Sequence, residues 1–167
     1  MEPKTSCQVE NAKFRHWPRI YGLMAGFFTE LGHRHLAYTI YMAIFRSTAS
    51  VLVLNGKVVG VVIYKVVAPG KYWLDYLVID PEHRGQGLAS QLLEGMESRC
   101  RDEGCESITL AVLIENQPAL SFYQQYGFAE VNSRSDGKIV PRSDGKILLR
   151  KQVADAIPTR SVGTPKI

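Results

Sequence analysis

The residues with the clearest chemical meaning lie in a short glycine-containing segment at positions 84–89. This segment follows an apolar strand pattern at positions 74–79 and a turn marked by Pro81, and an amphipathic helix pattern begins at Leu88. The first N–H groups of a helix have no intrahelical partner and lie at the positive end of its dipole. A loop that enters a helix in this way is therefore predicted to bind phosphate.

The residue types within this loop favour a diphosphate as the ligand. Gly85 and Gly87 lack a Cβ, so they can adopt φ > 0 and let the ligand approach the backbone closely. The Arg84 guanidinium adds a fixed positive charge at the mouth of the loop, where it can pair with phosphate oxygens.

Two common phosphate-binding patterns fit this segment poorly. A P-loop requires Lys-Ser or Lys-Thr after its last glycine, and neither follows here. The dinucleotide fingerprint requires a third glycine where this chain has Ser90, and an acidic residue at the end of the next strand, whereas Glu106 precedes that strand. The pattern that does fit is Arg84-x-x-Gly87-x-Ala89 directly after a strand.

The composition indicates one globular domain with a mild excess of positive charge. With 167 residues, the chain can bury about two-thirds of the surface that it exposes when unfolded. Hydrophobic residues make up 46% and charged residues 22%, as in folded proteins. The 20 basic and 16 acidic residues give a formal net charge of +4. This excess suits an anionic ligand but is too small to indicate nucleic acid, so no nucleic-acid partner is expected.

No part of the sequence predicts a membrane span or a secretory leader. The longest uncharged candidate, residues 36–45, is far shorter than the roughly eighteen apolar residues of a membrane span. The N-terminal Met-Glu-Pro-Lys is unlike a signal peptide. Cys7, Cys100 and Cys105 form neither a metal-binding nor a disulfide framework, so a reducing, cytoplasmic setting is expected.

Hydrophobic periodicity predicts a strand and then two helices in the first third of the chain. The strand covers residues 9–14, and the second helix covers residues 35–46. The first helix opens at Trp17-Pro18, ends at Gly32, and carries an apolar side formed by Ile20, Leu23, Met24, Phe27, Phe28 and Leu31. The aromatic residues of the second helix are most simply core residues: Tyr38, Tyr41 and Phe45.

A three-stranded meander, a helix and a further strand follow. Asn55-Gly56 is typical of a two-residue hairpin turn, and Gly104 is a typical helix end. The right-handed crossover rule makes the last of these strands parallel to the strand that ends at Ile79. The patterns predict strands at 51–54, 57–67 and 72–79, a helix at 88–103 and a strand at 108–113.

The C-terminal part is predicted to contain a short helix and two strands. Asn116 is a helix cap and Pro118 a first-turn residue, and Gly127 ends the helix. Strands are predicted at 128–132 and 147–151.

A tandem repeat lies between these two strands. The hexapeptide Arg-Ser-Asp-Gly-Lys-Ile at residues 134–139 recurs at 142–147, and its Asp-Gly turn signal predicts a hairpin lengthened by duplication. A functional role for the duplication is the less favoured interpretation. The domain is predicted to span residues 9–152, between a tail at 1–8 and a disordered tail at 153–167.

The order of these elements, together with two motifs, resembles the GNAT N-acetyltransferase superfamily over roughly residues 9–152. The first motif is the loop pattern of residues 84–89. The second surrounds the short C-terminal helix and reads Asn116-x-x-Ala119-x-x-Phe122-Tyr123-x-x-Tyr126-Gly127-Phe128. The resemblance implies a single domain of the α/β (α+β) class. Its central sheet would be mixed, mostly antiparallel, with a splayed pair of parallel strands.

The resemblance also implies a reaction, namely transfer of an acetyl group from acetyl-CoA to a primary amine by direct attack in a ternary complex, without a metal. Two alternatives stay open: a non-catalytic acyl-CoA-binding or regulatory module on the same scaffold, and an acyltransferase that uses another acyl-CoA or an oxygen acceptor. The amine is not identified by the sequence and could be a polyamine, an antibiotic, an amino acid or a protein lysine. Because many relatives dimerise, a homodimer is an open alternative to a monomer.

Binding of the acyl-CoA is implied to depend mainly on the backbone. The main chain of Leu77, Val78 and Ile79 would hydrogen-bond the pantetheine and thioester in the manner of an added strand. Asn116 would reach the pantetheine, in addition to or instead of capping its helix. The diphosphate would be held by the backbone amides of Arg84, Gly85, Gln86, Gly87, Leu88 and Ala89.

Two side chains are implied to take part in proton transfer. Tyr123 matches the family position of the general acid, whose phenol donates to the departing sulfur or to the oxyanion. Asp75 lies where many relatives carry a carboxylate and is the candidate base, directly or through water. Strand alternation would place it on the same side as Leu77 and Ile79.

Other candidates carry less weight. Some relatives that acetylate protein N-termini have a Glu where this chain has Ala111. This difference weakens the hypothesis that the chain is an N-terminal acetyltransferase. Glu115 is the alternative base, although a solvated loop charge is its simpler interpretation. The acceptor is implied to bind between the first two helices and the sheet. No metal site is expected, because metal-ligand spacing to cysteine or carboxylate is absent around His16, His33, His35 and His83.

Overall fold

The computed structural model describes residues 6–27, 32–131, 134–135, 138–139 and 144–153. Its strands are β1 (Cys7–Asn11), β2 (Ala49–Leu54), β3 (Lys57–Ala68), β4 (Lys71–Ile79), β5 (Ser107–Leu113), β6 (Ala129–Glu130), β7 (Arg134–Ser135), β8 (Lys138–Ile139) and β9 (Lys146–Gln152). Its α-helices are α1 (Trp17–Ala25), α2 (His33–Phe45), α3 (Leu88–Asp102) and α4 (Gln117–Gln125). The predicted order of helices and strands is confirmed.

Seven of these strands form one mixed sheet in the order β1-β2-β3-β4-β5-β9-β6. The neighbouring strands are antiparallel except for β4 and β5, which are parallel and are connected through α3. The predicted mixed sheet and its crossover are therefore confirmed.

Helices cover both faces of this sheet. On one face, α1 and α2 pack against the sheet through side chains such as Ile20, Met24 and Ile40. On the other face, α3 and α4 do so through side chains such as Leu92 and Met96. All five side chains are fully buried, so the apolar stripes read from the sequence are the core contacts. Within the described residues, no helix is both long and apolar enough to cross a bilayer.

The first helix is shorter than predicted. It ends at Ala25, and Gly32 does not terminate it but precedes α2, with φ of +64°. Phe27 therefore lies beyond the helix and is 40% exposed, so its predicted place in the core is wrong. Phe28 and Leu31 lie outside the described residues.

The ordered sheet extends slightly past both predicted domain boundaries. β1 begins at Cys7, which pairs with Leu54, although residues 1–8 were expected to form a tail. After β9, Val153 is buried and its N–H donates to the Glu106 carbonyl at 2.9 Å. Residues 154–167 of the predicted disordered tail lie outside the described residues.

The first copy of the hexapeptide repeat contains two short paired strands, and its Asp-Gly turn signal at 136–137 lies outside the described residues. Its two short strands, β7 and β8, are antiparallel, with Arg134 opposite Ile139. In the second copy, Gly145 has φ of +71° and β9 begins directly after it. The strand predicted at 128–132 is reduced to β6.

Gly60 in β3 allows α3 and the end of β4 to approach this strand closely. A Cβ at this position would lie 2.6 Å from Ile79 Cδ1 and 3.0 Å from Leu92 Cδ1. Real Cβ atoms do not approach other atoms to 2.6 Å, so a larger residue here must displace the Ile79 side chain and crowd Leu92 of α3. Gly60 thus helps to set the position of the loop between β4 and α3.

We expect Gly60→Ala to lower the free energy of unfolding by about 1–3 kcal/mol, because it overpacks this contact. Gly22→Ala in α1 is the matched control, since a Cβ there would meet no atom within 4 Å. Alanine is the better helix former, so this control should stabilise by up to about 1 kcal/mol. Urea unfolding of both variants measures the difference, and equal stability of the Gly60 variant and the wild type would contradict the close packing.

Candidate functional site

A gap opens in the sheet because β4 and β5 pair only at their N-terminal ends. The ladder runs from the Lys71–Ser107 pair to the Trp73–Thr109 pair. Beyond that point the strands enclose a cavity of about 560 Å³, and no described residue pairs with β4 on this side. The cavity is lined by residues 73–77 and 110–113, together with Asn116, Ala119, Tyr123 and Lys146. The predicted splayed pair is confirmed.

Three β4 residues were predicted to bind the pantetheine through their backbone, and they lie between this gap and the following loop: Leu77, Val78 and Ile79. Leu77 lines the gap. Val78 and Ile79 complete the strand and are paired with Val61 and Gly60 of β3. The opposite edge of the β4 backbone therefore faces the gap with peptide groups available to an extended ligand.

The loop between β4 and α3 presents a row of unpaired backbone amides. Gly85 and Gly87 have φ of +72° and +73°, as their predicted role in the loop requires, and a Cβ at either would meet no atom within 4 Å. Gly87 is the N-cap of α3, so the helix dipole points at the loop. Among the described residues, no group accepts a hydrogen bond from the N–H groups of residues 85–90.

Arg84 differs from its predicted placement in two ways. Its N–H donates to the Pro81 carbonyl at 3.4 Å, so the row of unpaired amides begins one residue later than predicted. Its Nε donates to the Ile79 carbonyl at 3.3 Å, and its guanidinium carbon lies 4.8 Å from the centre of the Phe27 ring. The guanidinium therefore connects the loop to the segment after α1, and this contact explains the position of the exposed Phe27.

Asp80 anchors the start of the same loop. This buried carboxylate is paired with the Arg19 guanidinium of α1, and it accepts a hydrogen bond from the Glu82 N–H at 3.3 Å. Arg19 also donates to the Val58 carbonyl at 3.0 Å. A buried carboxylate is stable only when it is paired, so this ion pair fixes the loop against both α1 and β3.

A metal is not needed to explain the charges at this position. Asp80, Glu82 and His83 bring three possible ligand atoms within 4.8 Å of one another, a proximity that their sequence spacing did not predict. However, the Asp80 carboxylate already has the Arg19 cation as its partner. We assign no metal to this group.

Tyr123 is one of the residues that line the gap. It lies on α4 and contacts the rings of Phe122 and Phe128, with centroid distances of 5.2 and 5.5 Å. No described group is hydrogen-bonded to its hydroxyl. Burial raises the pKa of Tyr123 to about 12, so the phenol keeps its proton throughout the physiological range.

Asn116 caps α4 and also faces the gap. Its side-chain oxygen accepts a hydrogen bond from the Ala119 N–H at 3.2 Å, which confirms the predicted cap. The side-chain amide N–H₂ has no described acceptor, so it can donate to a ligand while the cap stays formed.

Asp75 does not share a face with Leu77 and Ile79, and that prediction is wrong. The pairing of β3 with β4 shifts at this point, since Ile63 is opposite Tyr76 but Tyr64 is opposite Leu74. Asp75 is the extra residue of a β-bulge, and a bulge turns the side chain away from the regular alternation. Its carboxylate instead contacts the Lys65 ammonium at 2.9 Å.

A second cavity, of about 470 Å³, lies on the α2 side of the sheet. It is lined by α2 side chains including Tyr38, by β3 side chains including Lys65, and by Asp75. Asp75 therefore borders both cavities and marks where they meet. The aromatic residues of α2 are not core residues as predicted, because Tyr38, Tyr41 and Phe45 are 62%, 47% and 67% exposed.

Several residues of the site were not found from the sequence. Lys146 and Tyr76 line the gap, and Arg19 holds Asp80 across 61 positions of the chain. No local pattern marks such long-range contacts. Glu115, the alternative base, is exposed beyond the end of β5, as expected for a solvated loop residue.

Comparison with known proteins agrees with this geometry. The model of the acetyltransferase (GNAT) family matches residues 17–128, which is more than half of the chain. The protein therefore belongs to the GNAT acetyltransferase family.

Solved structures with the same fold are distant in sequence. Ard1 from Thermoplasma volcanium superimposes with a TM-score of 0.73 at 20% identity, over 88% of this chain and 97% of that one. The PaiA N-acetyltransferase from Thermoplasma acidophilum, solved in complex with coenzyme A, gives 0.69 at 16% identity, over 88% and 99%. The ribosomal-protein-S18-alanine N-acetyltransferase from Escherichia coli gives 0.64 at 21% identity, over 89% and 94%. At these identities the likeness concerns the fold.

Proposed function

We propose that the protein transfers an acetyl group from acetyl-CoA to a primary amine in a ternary complex. The observation that carries this proposal is the continuity of the loop and the gap. Unpaired amides at residues 85–90 follow an open strand edge, and that edge borders a gap that Tyr123 also lines. This arrangement fits a ligand with a diphosphate at one end, an extended amide-containing arm and a reactive group at the other.

The chain offers each part of acetyl-CoA a chemically matched partner. The amides of residues 85–90 and the dipole of α3 suit the diphosphate. The free edge of β4 at Leu77, Val78 and Ile79 suits the pantetheine amides, with the Asn116 side chain as an additional donor. The PaiA N-acetyltransferase, which has the same fold, was solved in complex with coenzyme A, and this also supports the proposed donor.

The proton transfers can be assigned to two side chains on either side of the reacting groups. When bound, acetyl-CoA supplies an electrophilic thioester. The carbon–nitrogen bond forms as the carbon–sulfur bond breaks, the nitrogen loses its second proton, and the sulfur gains one, so a donor that protonates the sulfur can be restored by the proton from the nitrogen. Tyr123 can donate the proton to the sulfur, because its raised pKa keeps the phenol protonated.

Asp75 is our proposed acceptor of the proton that the ammonium must lose before attack. The Lys65 ammonium contacts this carboxylate at 2.9 Å, which supports the proposal that a substrate ammonium can pair with Asp75 by displacing Lys65. Asp75 lies at the junction of the two cavities, so a proton acceptor at this point could serve an amine that enters from the α2 side. Glu115 is less suitable because it is exposed.

The other proposals concern the setting of the protein. The three cysteines are free thiols, which supports the proposed reducing, cytoplasmic location. The absence of a nucleic-acid partner and the choice between monomer and homodimer stay predictions. A non-catalytic acyl-CoA-binding module and the use of another acyl-CoA are the alternatives that an assay must exclude.

An assay of thiol release with acetyl-CoA and a panel of primary amines tests the proposed function. We expect release that depends on the amine and matches formation of the acetylated amine by mass spectrometry. Saturable binding of acetyl-CoA without transfer to any amine would instead identify a binding module. Faster transfer from a longer acyl-CoA would correct the identity of the donor.

Replacement of Tyr123 by Phe should lower kcat by roughly 10²–10⁴-fold, because the proton donor is lost while the ring stays in place. Affinity for acetyl-CoA should change little. Because the pKa of Tyr123 is about 12, deprotonation of this phenol should not lower the wild-type rate below about pH 10. Tyr126→Phe, at the end of the same helix, is the control and should retain wild-type kcat. Wild-type turnover by the Tyr123 variant would remove its assigned role.

Replacement of Asp75 by Asn should lower the rate at neutral pH by roughly 10²-fold or more, because the proton acceptor is lost and the shape is preserved. The rate of this variant should recover as the pH approaches the pKa of the free amine, since the neutral amine needs no base. Glu115→Gln provides the comparison and should leave the profile unchanged. A pH–rate profile that is the same for the Asp75 variant and the wild type would exclude Asp75 as the base.

A further inference from the structure

The cavity on the α2 side has a charge pattern that indicates what kind of amine it accepts. Three charged side chains line it: Arg46 at the end of α2, Lys65 on β3 and Asp75 on β4. Lys65 and Asp75 neutralise each other, with 2.9 Å between Nζ and Oδ1. Arg46 is different, because its guanidinium has no described acceptor or anionic partner. Among the described lining residues, one positive charge, that of the exposed Arg46, is therefore uncompensated.

The positions of the charges are as informative as their signs. Asp75 lies at the junction with the acetyl-CoA gap, whereas Arg46 lies just before β2. Strand β3 separates β2 from β4, so the two backbones are two strand spacings apart, about 10 Å. A ligand whose two charged groups are joined by a spacer suits this separation.

We infer that the acceptor is a small primary amine that carries an anionic group, a carboxylate or a phosphate, at the far end of a spacer. This inference rests on the proposed function and specifies its substrate class. The ammonium takes the place of the Lys65 ammonium beside Asp75, and the anion pairs with the Arg46 guanidinium, whose planar donors suit both oxyanions. Lys65, once displaced from Asp75, adds a second cation to the same cavity.

The same charges disfavour other candidate acceptors. A polyamine or a cationic antibiotic would bring further positive charges towards Arg46 and Lys65, with Asp75 as the one carboxylate in the described lining. An α-amino acid has its amine and carboxylate on the same carbon, so it suits this separation less well than an amine with a spacer.

Matched pairs of amines test the inference on the wild-type protein. ω-Amino carboxylates of increasing length are compared with their neutral carboxamides, and aminoalkyl phosphates with the corresponding amino alcohols. We expect each anionic amine to have a kcat/KM about 10–100-fold above its neutral partner, the effect of a charge-assisted hydrogen bond. The more active series identifies the anion as carboxylate or phosphate. Neutral amines that match or exceed the anionic ones would overturn the inference while leaving the proposed function intact.

Arg46→Ala tests the assigned partner of the anion, and Arg34→Ala removes the same charge from the exposed side of the same helix, outside the cavity. We expect Arg46→Ala to raise KM for the anionic amine by about 10–100-fold, with little change for its neutral analogue. Arg34→Ala should change neither value. An equal loss for both amines in the Arg46 variant would contradict the inference.

A binding measurement separates this inference from failure of the catalytic proposal. Calorimetric titration of the anionic amine into CoA-saturated protein needs no turnover, and we expect binding that Arg46→Ala weakens and Arg34→Ala does not. No binding of any anionic amine to CoA-saturated protein would overturn the inference. If the anionic amine binds as expected but no amine is acetylated, the proposed acetyltransferase function is wrong. The conclusion that the cavity binds an anionic amine is then still supported.

Discussion

The separation of β4 from β5 is the feature on which the rest of the site depends. These strands share only a short parallel ladder, and after the Trp73–Thr109 pair the β4 backbone has no described partner on one side. Unpaired peptide groups inside a protein are costly unless a ligand or water satisfies them. The fold therefore keeps part of a central strand available for binding, and the helix that follows adds the unpaired amides of its first turn.

The surrounding contacts hold this open arrangement in place. The Arg19–Asp80 ion pair and the stacking of Arg84 on Phe27 connect the loop to α1, while Gly60 lets β4 and α3 approach β3 closely. On the other side of the sheet, the bulge at Asp75 turns one carboxylate towards α2. Strand β4 thus borders two cavities, which we propose for the acyl donor and the amine, and Asp75 lines both.

Local patterns in the sequence predicted most of the fold and the loop. Apolar periodicity located the helices, and the strand–glycine–helix order identified the loop because its amides act through the backbone. Side-chain direction was predictable only where alternation is regular. The extra residue at Asp75 reversed the predicted direction of its side chain. No residue type in the sequence predicts such a bulge. The Arg19–Asp80 pair could not be predicted, because it joins residues 61 positions apart. The early end of α1 has a local signal that was not used, because its C-cap is Gly26.

The central claim is that the backbone amides of residues 85–90 bind the diphosphate of coenzyme A. The most direct measurement is a titration of ¹⁵N-labelled protein with coenzyme A, followed through the amide resonances. We predict saturable shifts that are largest at residues 85–90 and continue along the free edge of β4 at Leu77, Val78 and Ile79, with small changes elsewhere in the sheet. No saturable shifts, or shifts centred on another surface, would contradict the account.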